Sequence, residues 1–139
     1  MSDLTRFGVS LDSELLENFD RLIEKKGYKN RSEAIRDLIR DELVSEEWES
    51  SSNETVGVFS IVYDHHQREL NTKLTHIQHN YLHVIVSSTH IHIDHHNCLE
   101  VIILRGTTET IKKVSDEISS TRGVKHGKLI MTSTGSDIK

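Results

Sequence analysis

The chain has 139 residues, a formal net charge of −5, ten histidines, one cysteine and no proline. An apolar share of 35% beside 28% charged residues excludes a largely disordered chain and suits one large or two small domains. The lone cysteine excludes an internal disulfide, and the sequence shows no signal peptide and no apolar stretch of about 18 residues. We therefore expect a cytoplasmic protein with no membrane segment.

The first expected element is a strand over residues 6–11, where apolar and polar side chains alternate. Arg6 and Ser10 would lie on its outward face. An N-terminal domain of about 45 residues is small enough to need a partner, and a single strand would leave both of its edges unpaired. We therefore expect two copies of the chain to pair this strand as an antiparallel ribbon.

Two helices are expected to follow the strand. Asp12 is the predicted N-cap of the first helix, and Gly27 is expected to end it. Asn30 and Glu33 have the spacing of a capping box, so they predict the start of the second helix.

The start of the second helix is a candidate phosphate site. Residues 21–40 contain seven bases and three acids, although residues 1–49 as a whole contain eight bases and thirteen acids. Free backbone N–H groups and the positive end of a helix dipole favour an anion, and Lys29 and Arg31 stand beside them. The alternative for this half of the chain is a dimerisation module with a solvated strand face.

Residues 45–55 are rich in serine and acidic residues, which predicts a helix tail and a linker in which only Trp48 could anchor to a core. The remaining chain predicts strand, helix, strand, strand, helix, strand, which is the ferredoxin-like order. These six elements are expected at residues 56–63, 67–81, 83–93, 98–105, 108–121 and 124–134.

The predicted central hairpin carries a candidate metal site. A loop of three or five residues would place His92 opposite Cys98 and His90 opposite Glu100 on one face, whereas an even loop would turn Cys98 away. Two imidazoles and one thiolate suit a late transition metal. Glu100 is expected to orient a ligand rather than to bind the ion. A half-buried sheet face with an inert thiol is the alternative.

This ligand set is incomplete, and another chain could complete it. His79 lies about 180° from the apolar stripe of the predicted helix, so it points away from its own core. We expect His79 to reach a site shared between subunits, with solvated surface residues as the alternative for His76, His79 and His83. Expected at the surface, or as weak accessory metal sites, are His65, His66, His95 and His96, while His126 stays unassigned.

Several motifs carry a family resemblance. The segment NRSEAIRDLIR at residues 30–40 resembles the second helix of the ribbon-helix-helix repressors, whose two-stranded ribbon enters the major groove of DNA. Beyond it stand Q-H at residues 78–79, H-x-H at 90–92, C-L-E at 98–100 and R-G-V-K-H-G at 122–127. From about residue 6 to residue 132, the chain resembles the nickel-responsive transcriptional regulators of the NikR family.

The resemblance implies an α+β fold. It consists of a ribbon-helix-helix domain at residues 1–48 for DNA binding and dimerisation, a linker at 49–55, and a ferredoxin-like (βαββαβ, ACT-like) metal-binding domain at 56–139. It also implies a homotetramer, as a dimer of dimers, with one Ni(II) per subunit at a site shared between subunits. The implied square-planar ligands are His90, His92 and Cys98 of one subunit and His79 of a facing subunit. Spacing alone leaves zinc and copper(II) open.

The resemblance further implies contacts to double-stranded DNA. Arg6 and Ser10 match the strand that reads DNA, whereas Gly8 departs from the polar residue expected between them. The residues that match phosphate-positioning sites are Asn30, Arg31 and Ser32, with Lys29 beside them. Glu33 and Asp37 resemble a secondary cation site.

The expected function is a nickel-dependent repressor that binds a palindromic operator and controls nickel uptake genes, without enzymatic activity. Two alternatives use the same His/Cys cluster. A zinc hydrolase would need three protein ligands, a water and a general base. A metal-storage or delivery protein would leave the N-terminal ribbon unexplained.

Overall fold

The computed structural model describes residues 3–49 and 53–139. The chain divides into two compact units, Met1–Arg40 and Asp41–Lys139, with the division inside the second helix. Among the described residues, no helix combines the length and apolar composition needed to cross a membrane.

The first unit begins with a segment that has no regular secondary structure. Residues 3–12 form no strand, although the alternation at residues 6–11 predicts one. Phe7 and Val9, expected on the buried face, are 70% and 60% exposed. The physical reason is that a strand is completed by hydrogen bonds to a neighbouring strand, and no other described segment of this chain pairs with it.

The two helices of this unit begin where the sequence predicts them. α1 spans Ser13–Lys25, and the Asp12 side chain accepts a hydrogen bond from the Glu14 N–H at 2.9 Å. The chain then turns at Gly27, whose φ of 85° favours glycine. α2 spans Arg31–Glu49, and the Asn30 side chain accepts from the Glu33 N–H at 2.9 Å. Both predicted caps are confirmed.

The second unit has the predicted ferredoxin-like order. Its four strands form one sheet in the order β2-β3-β1-β4, and all neighbouring strands are antiparallel. The order strand, helix, strand, strand, helix, strand is confirmed. Its elements are β1 Glu54–Asp64, α3 Arg68–Asn80, β2 Ile85–His92, β3 Asn97–Thr107, α4 Thr108–Ser119 and β4 Val124–Met131.

One face of the sheet forms the core of this unit. Burial alternates along β1 and β3, because successive side chains of a strand point to opposite faces. The buried face packs against α3 and α4. The largest fully buried side chains of this core, from the strands and from the two helices, are Tyr63, Phe59, Ile61, Leu70, Leu74, Ile102, Leu104, Ile111 and Ile118.

Within the second unit, the end of α2 packs on the sheet through Trp48. This side chain is 2% exposed and belongs to the same core cluster as the sheet. Its indole N–H donates to the Thr132 carbonyl at 2.7 Å, and the Thr55 hydroxyl donates to that carbonyl at 2.8 Å. Trp48 therefore anchors the last turns of α2 to Thr132, which directly follows β4 and is also bonded to β1 through Thr55.

Candidate functional site

The hairpin of β2 and β3 brings the predicted ligands to adjacent positions. His92 stands opposite Cys98 and His90 stands opposite Glu100, which is the register expected for a five-residue loop. The Asp94 side chain closes that loop by accepting from the backbone N–H groups of His96 and Asn97, each at 2.8 Å. Its hydrogen bonds to the Asn97 side chain and to these N–H groups lower the pKa of Asp94 to about 2.

Cys98 and His92 are in direct contact. The distance between Cys98 Sγ and His92 Nδ1 is 3.3 Å. Two such ligands bound at about 2.3 and 2.0 Å to one ion would be about 3.0 to 3.5 Å apart for angles between 90° and tetrahedral. The pair is therefore already spaced to share an ion.

The Cys98 thiol is held in its protonated form while no cation is near. The side chain is fully buried, and this burial raises the pKa of the thiol, with Asp64, Asp94 and Glu100 adding repulsion. A bound cation reverses this balance because it favours the thiolate. A metal ion that bound Cys98 would therefore release a proton.

Tyr63 orients His90 from the same face of the sheet. Its hydroxyl lies 3.2 Å from His90 Nδ1, and the two rings meet edge to face. Burial raises the pKa of Tyr63, and the charge of Glu100 raises it further, so the phenol stays neutral. Because Nδ1 is engaged with the phenol, Nε2 is the His90 nitrogen left for a ligand.

Glu100 connects the hairpin to α3. Its carboxylate is 8% exposed and accepts from Gln78 Nε2 at 3.0 Å and from Ser88 Oγ at 2.5 Å. Gln78 directly precedes His79 in the chain. Glu100 thus stabilises the part of α3 that carries His79, and its two donors leave it poorly placed to act as the base of a hydrolase.

The structure adds His65 to the hairpin site. Ligand atoms of His65, His92 and Cys98 all lie within 4.8 Å of one another. From the sequence, His65 was expected at the surface or in a weak accessory metal site, and its place beside His92 and Cys98 was missed. The available signal was strand pairing, because β1 runs beside β3 and its last residue Asp64 lies opposite Asn97, so the next residue must adjoin the hairpin loop.

His79 does not join that group within one chain. It is exposed on α3, whose buried side is formed by Leu70 and Leu74. His79 and His76 line the same open surface pocket together with Thr75. This placement agrees with the expected outward direction of His79, and its role as a ligand stays a prediction.

The candidate DNA contacts are all exposed in the first unit: Arg6, Ser10, Lys29, Asn30, Arg31 and Ser32. Asn30 is engaged as the cap of α2, and Arg31 donates two hydrogen bonds to Asp20 at 2.9 and 2.8 Å. This exposed ion pair is weak, so Arg31 can exchange Asp20 for a phosphate at little cost.

An apolar groove runs along the same unit. Its volume is about 910 Å³, and its lining includes Phe7 and Val9 from the N-terminal segment and Phe19 and Ile35 from the helices. A groove with such a lining is unfavourable in water unless another surface covers it.

The predicted cation site at Glu33 and Asp37 has competing contacts. Asp37 accepts a hydrogen bond from the Tyr28 hydroxyl at 2.6 Å and from Arg40 at 3.0 Å. The Tyr28 bond, with Arg40 beside it, lowers the pKa of Asp37. A cation there would have to compete with these two donors, and the site stays a prediction.

Comparison with known proteins assigns both halves of the chain. Residues 56–132 match the NikR C terminal nickel binding domain, and residues 5–46 match the ribbon-helix-helix protein, copG family. An uncharacterized protein of Thermotoga maritima shares the fold at a TM-score of 0.52 and 15% identity, over 57% of this chain and 98% of that one.

Close relatives span the whole chain. A relative from Solibacter usitatus is 56% identical and covers 100% of both chains, and one from Geobacter metallireducens is 55% identical over 99% of both. Both are named as nickel-responsive regulators.

A ribbon-helix-helix domain joined to a nickel-binding domain defines a metal-responsive transcription regulator, which is a class without enzymatic activity. Within that class, the chain belongs to the NikR family of nickel-responsive regulators.

Proposed function

We propose that the chain is a cytoplasmic repressor that binds a palindromic operator when Ni(II) occupies its hairpin site. The observation that carries the proposal is the β2–β3 register, which sets the imidazole of His92 against the buried thiol of Cys98 at 3.3 Å. Imidazole and thiolate are ligands that late transition metals prefer.

The proposed nickel ligands are His90, His92 and Cys98 of one subunit and His79 of a facing subunit, with one Ni(II) per subunit. The exposure of His79 on the side of α3 away from its own core supports this shared arrangement. Tyr63 and Glu100 act as positioning residues: the first engages Nδ1 of His90, and the second bonds Gln78 beside His79. An ion held by these four residues would link the two subunits.

DNA binding is proposed to need two copies of the first unit. The exposed apolar side chains at residues 7, 9 and 11 and the apolar groove support a ribbon formed with a second chain. Arg6 and Ser10 would then face the major groove, whereas Gly8 has no side chain to contact a base. At the start of α2, the phosphate contacts are Lys29, Asn30, Arg31 and Ser32.

Two such DNA-binding dimers joined by the metal-binding domains make the proposed homotetramer. Nickel affects DNA affinity through a coupling free energy, typically about 1 to 3 kcal/mol. The regulated genes are proposed to be those of nickel uptake. Glu33 and Asp37 are proposed to form a secondary cation site. The predicted domain bounds, 1–48 and 56–139, belong to this proposal.

Selection from random-sequence DNA tests the function. Purified full-length protein should enrich a palindrome in the presence of Ni(II) and enrich none after the metal is removed by a chelator. A storage protein or a hydrolase would bind metal without selecting DNA, so equal enrichment with and without Ni(II), or no enrichment, would count against a nickel-dependent repressor.

A further inference from the structure

The polar face of the N-terminal segment has a gap at Gly8. In a paired strand, the side chains of residues 6, 8 and 10 point to one face, and those of residues 7 and 9 point to the other. Phe7 and Val9 are apolar and need cover, so the first face is the one left for DNA. That face carries the guanidinium of Arg6, no side chain at Gly8, and the hydroxyl of Ser10.

Neither packing nor backbone conformation requires glycine at this position. A Cβ added at Gly8 would meet no atom of the described residues within 4 Å. Gly8 also has no positive φ, unlike Gly27, Gly123 and Gly135. Glycine weakens a strand because its backbone loses the most freedom on ordering. The missing side chain therefore has its consequence at the surface that faces the DNA rather than inside the chain.

The gap is long compared with the spacing of base pairs. Neighbouring side chains on one face of a strand are about 6.6 Å apart, so about 13 Å separates residues 6 and 10. Bases along a DNA strand are about 3.4 Å apart, so this interval spans about four steps. Ser10 is too short to reach its middle. The backbone groups of Gly8 lie in the plane of the ribbon, where they pair strands, rather than on its face.

We propose that Gly8 leaves a base-pair step of the operator unread beneath each strand of the ribbon, between the steps selected by Arg6 and by Ser10. This inference rests on the proposed repressor function, because it concerns how the ribbon reads the operator. Gly8 determines specificity through what it lacks, and the chain accepts more operator sequences than a chain with a polar side chain there. An asparagine at this position would add readout, because its amide can pair with both N6 and N7 of adenine.

The experiment starts from the palindrome that the full-length chain selects from random DNA in the presence of Ni(II). Each base pair of the half-site is replaced in turn by the other three, and the Kd of every duplex is measured. For the native chain, a step flanked by discriminated steps should accept all four base pairs within about twofold, which is less than the usual cost of one mismatch. Gly8→Ala is the matched control, because it adds a Cβ without a polar group, and it should keep this tolerance.

Gly8→Asn should prefer one base pair at the tolerated step by at least about fivefold. Its discrimination at the other steps and its nickel stoichiometry should equal those of the native chain. If Gly8→Asn binds too weakly to measure, Gly8→Thr takes its place, because a β-branched side chain favours a strand. The same gain is expected of that variant.

Three results would overturn the unread step. The first is a native chain that discriminates at every step inside the half-site. The second is a polar variant that keeps the native tolerance. The third is loss of DNA binding in Gly8→Ala or in both polar variants, which would show that the backbone itself lies against the DNA. If the native chain selects no palindrome with Ni(II), the repressor function itself fails and the unread step with it, whereas a palindrome without a tolerated step contradicts the unread step alone.

Discussion

At the scale of single residues, the buried thiol would decide which metals the proposed hairpin site prefers. Cys98 has no solvent exposure and lies against His92, so its sulfur is protected from water. A soft thiolate beside imidazoles favours nickel, copper(I) or zinc over magnesium or calcium. Replacing the sulfur should therefore change both the affinity and the spectrum of the site.

Cys98→Ala should remove the sulfur-to-nickel charge-transfer band and weaken Ni(II) binding by at least about 100-fold, because a direct ligand is lost. In the native chain, binding should also weaken as the pH falls, since burial raises the pKa of the thiol and the proton competes with the metal. Absorption titration checks both. An unchanged band in Cys98→Ala would remove Cys98 from the site.

Tyr63→Phe tests the positioning of His90 without removing a ligand. The substitution keeps the buried ring but deletes the hydroxyl that lies 3.2 Å from His90 Nδ1. Nickel affinity should fall about 10- to 100-fold, while the charge-transfer band of the nickel-loaded protein remains. The control is Tyr81→Phe, whose hydroxyl instead bonds Glu117. Equal losses in both variants would contradict a specific role for Tyr63.

At the scale of elements, α2 has different roles at its two ends. Its start is capped by Asn30 in the first unit, and its last turns are buried through Trp48 in the second. A Cβ added at Gly57 would be 3.3 Å from the indole of Trp48 and 3.0 Å from the side chains of Ile111 and Leu129. The small residue on β1 thus makes room for the large one on α2.

Trp48→Ala should lower the free energy of unfolding of the second unit by about 3 to 5 kcal/mol, because it leaves a cavity and removes the donor to Thr132. Trp48→Phe retains much of the packing and should cost less. Urea denaturation followed by circular dichroism measures both. A loss under about 1 kcal/mol in Trp48→Ala would show that the end of α2 is not part of this core.

The N-terminal segment and the start of α2 should affect DNA binding differently. Arg6→Ala should abolish selectivity while nickel affinity stays unchanged, because a base contact carries sequence information. Lys29→Ala should weaken binding to all DNA sequences alike. It should also reduce the slope of log affinity against log salt concentration by about 1. Binding assays with operator and scrambled duplexes separate the two effects. Normal selectivity in Arg6→Ala would show that this segment does not read DNA.

At the scale of the whole molecule, one chain gathers only part of the proposed nickel set. Cys98 and His92 meet in the hairpin, whereas His79 is exposed on α3. A site completed by a second subunit would make metal occupancy depend on assembly, and assembly depend on metal.

Mixing two variants tests the shared site. His79→Ala and Cys98→Ala chains should each lose tight nickel binding when refolded alone. Refolded together, they should recover some intact sites, because the His79 of one chain can meet the Cys98 of another. Nickel stoichiometry measures the recovery. If the chains are shown to mix and no nickel binding is recovered, His79 does not complete the site across subunits.

Local pattern was enough to predict much of this molecule. The caps at Asp12 and Asn30 depend on side chains within three residues, and the six elements of the second unit follow from the period of apolar residues and from turns. That His92 and Cys98 lie on the same face of the sheet also follows from the sequence once the loop has an odd length, since side chains alternate along a strand.

Other features depend on which strands become neighbours. The place of His65 beside His92 and Cys98 follows from the pairing of β1 with β3, which joins residues more than 30 apart in the chain. The bonds of Glu100 to Gln78 and Ser88 likewise depend on how α3 packs on the hairpin. The predicted N-terminal strand is absent for the same reason. Its alternating pattern is local, but its hydrogen bonds would have to come from another strand. Periodicity therefore determined the elements and the directions of their side chains, whereas only the tertiary structure decided which of those side chains meet, since contacts between distant residues depend on packing rather than on spacing along the chain.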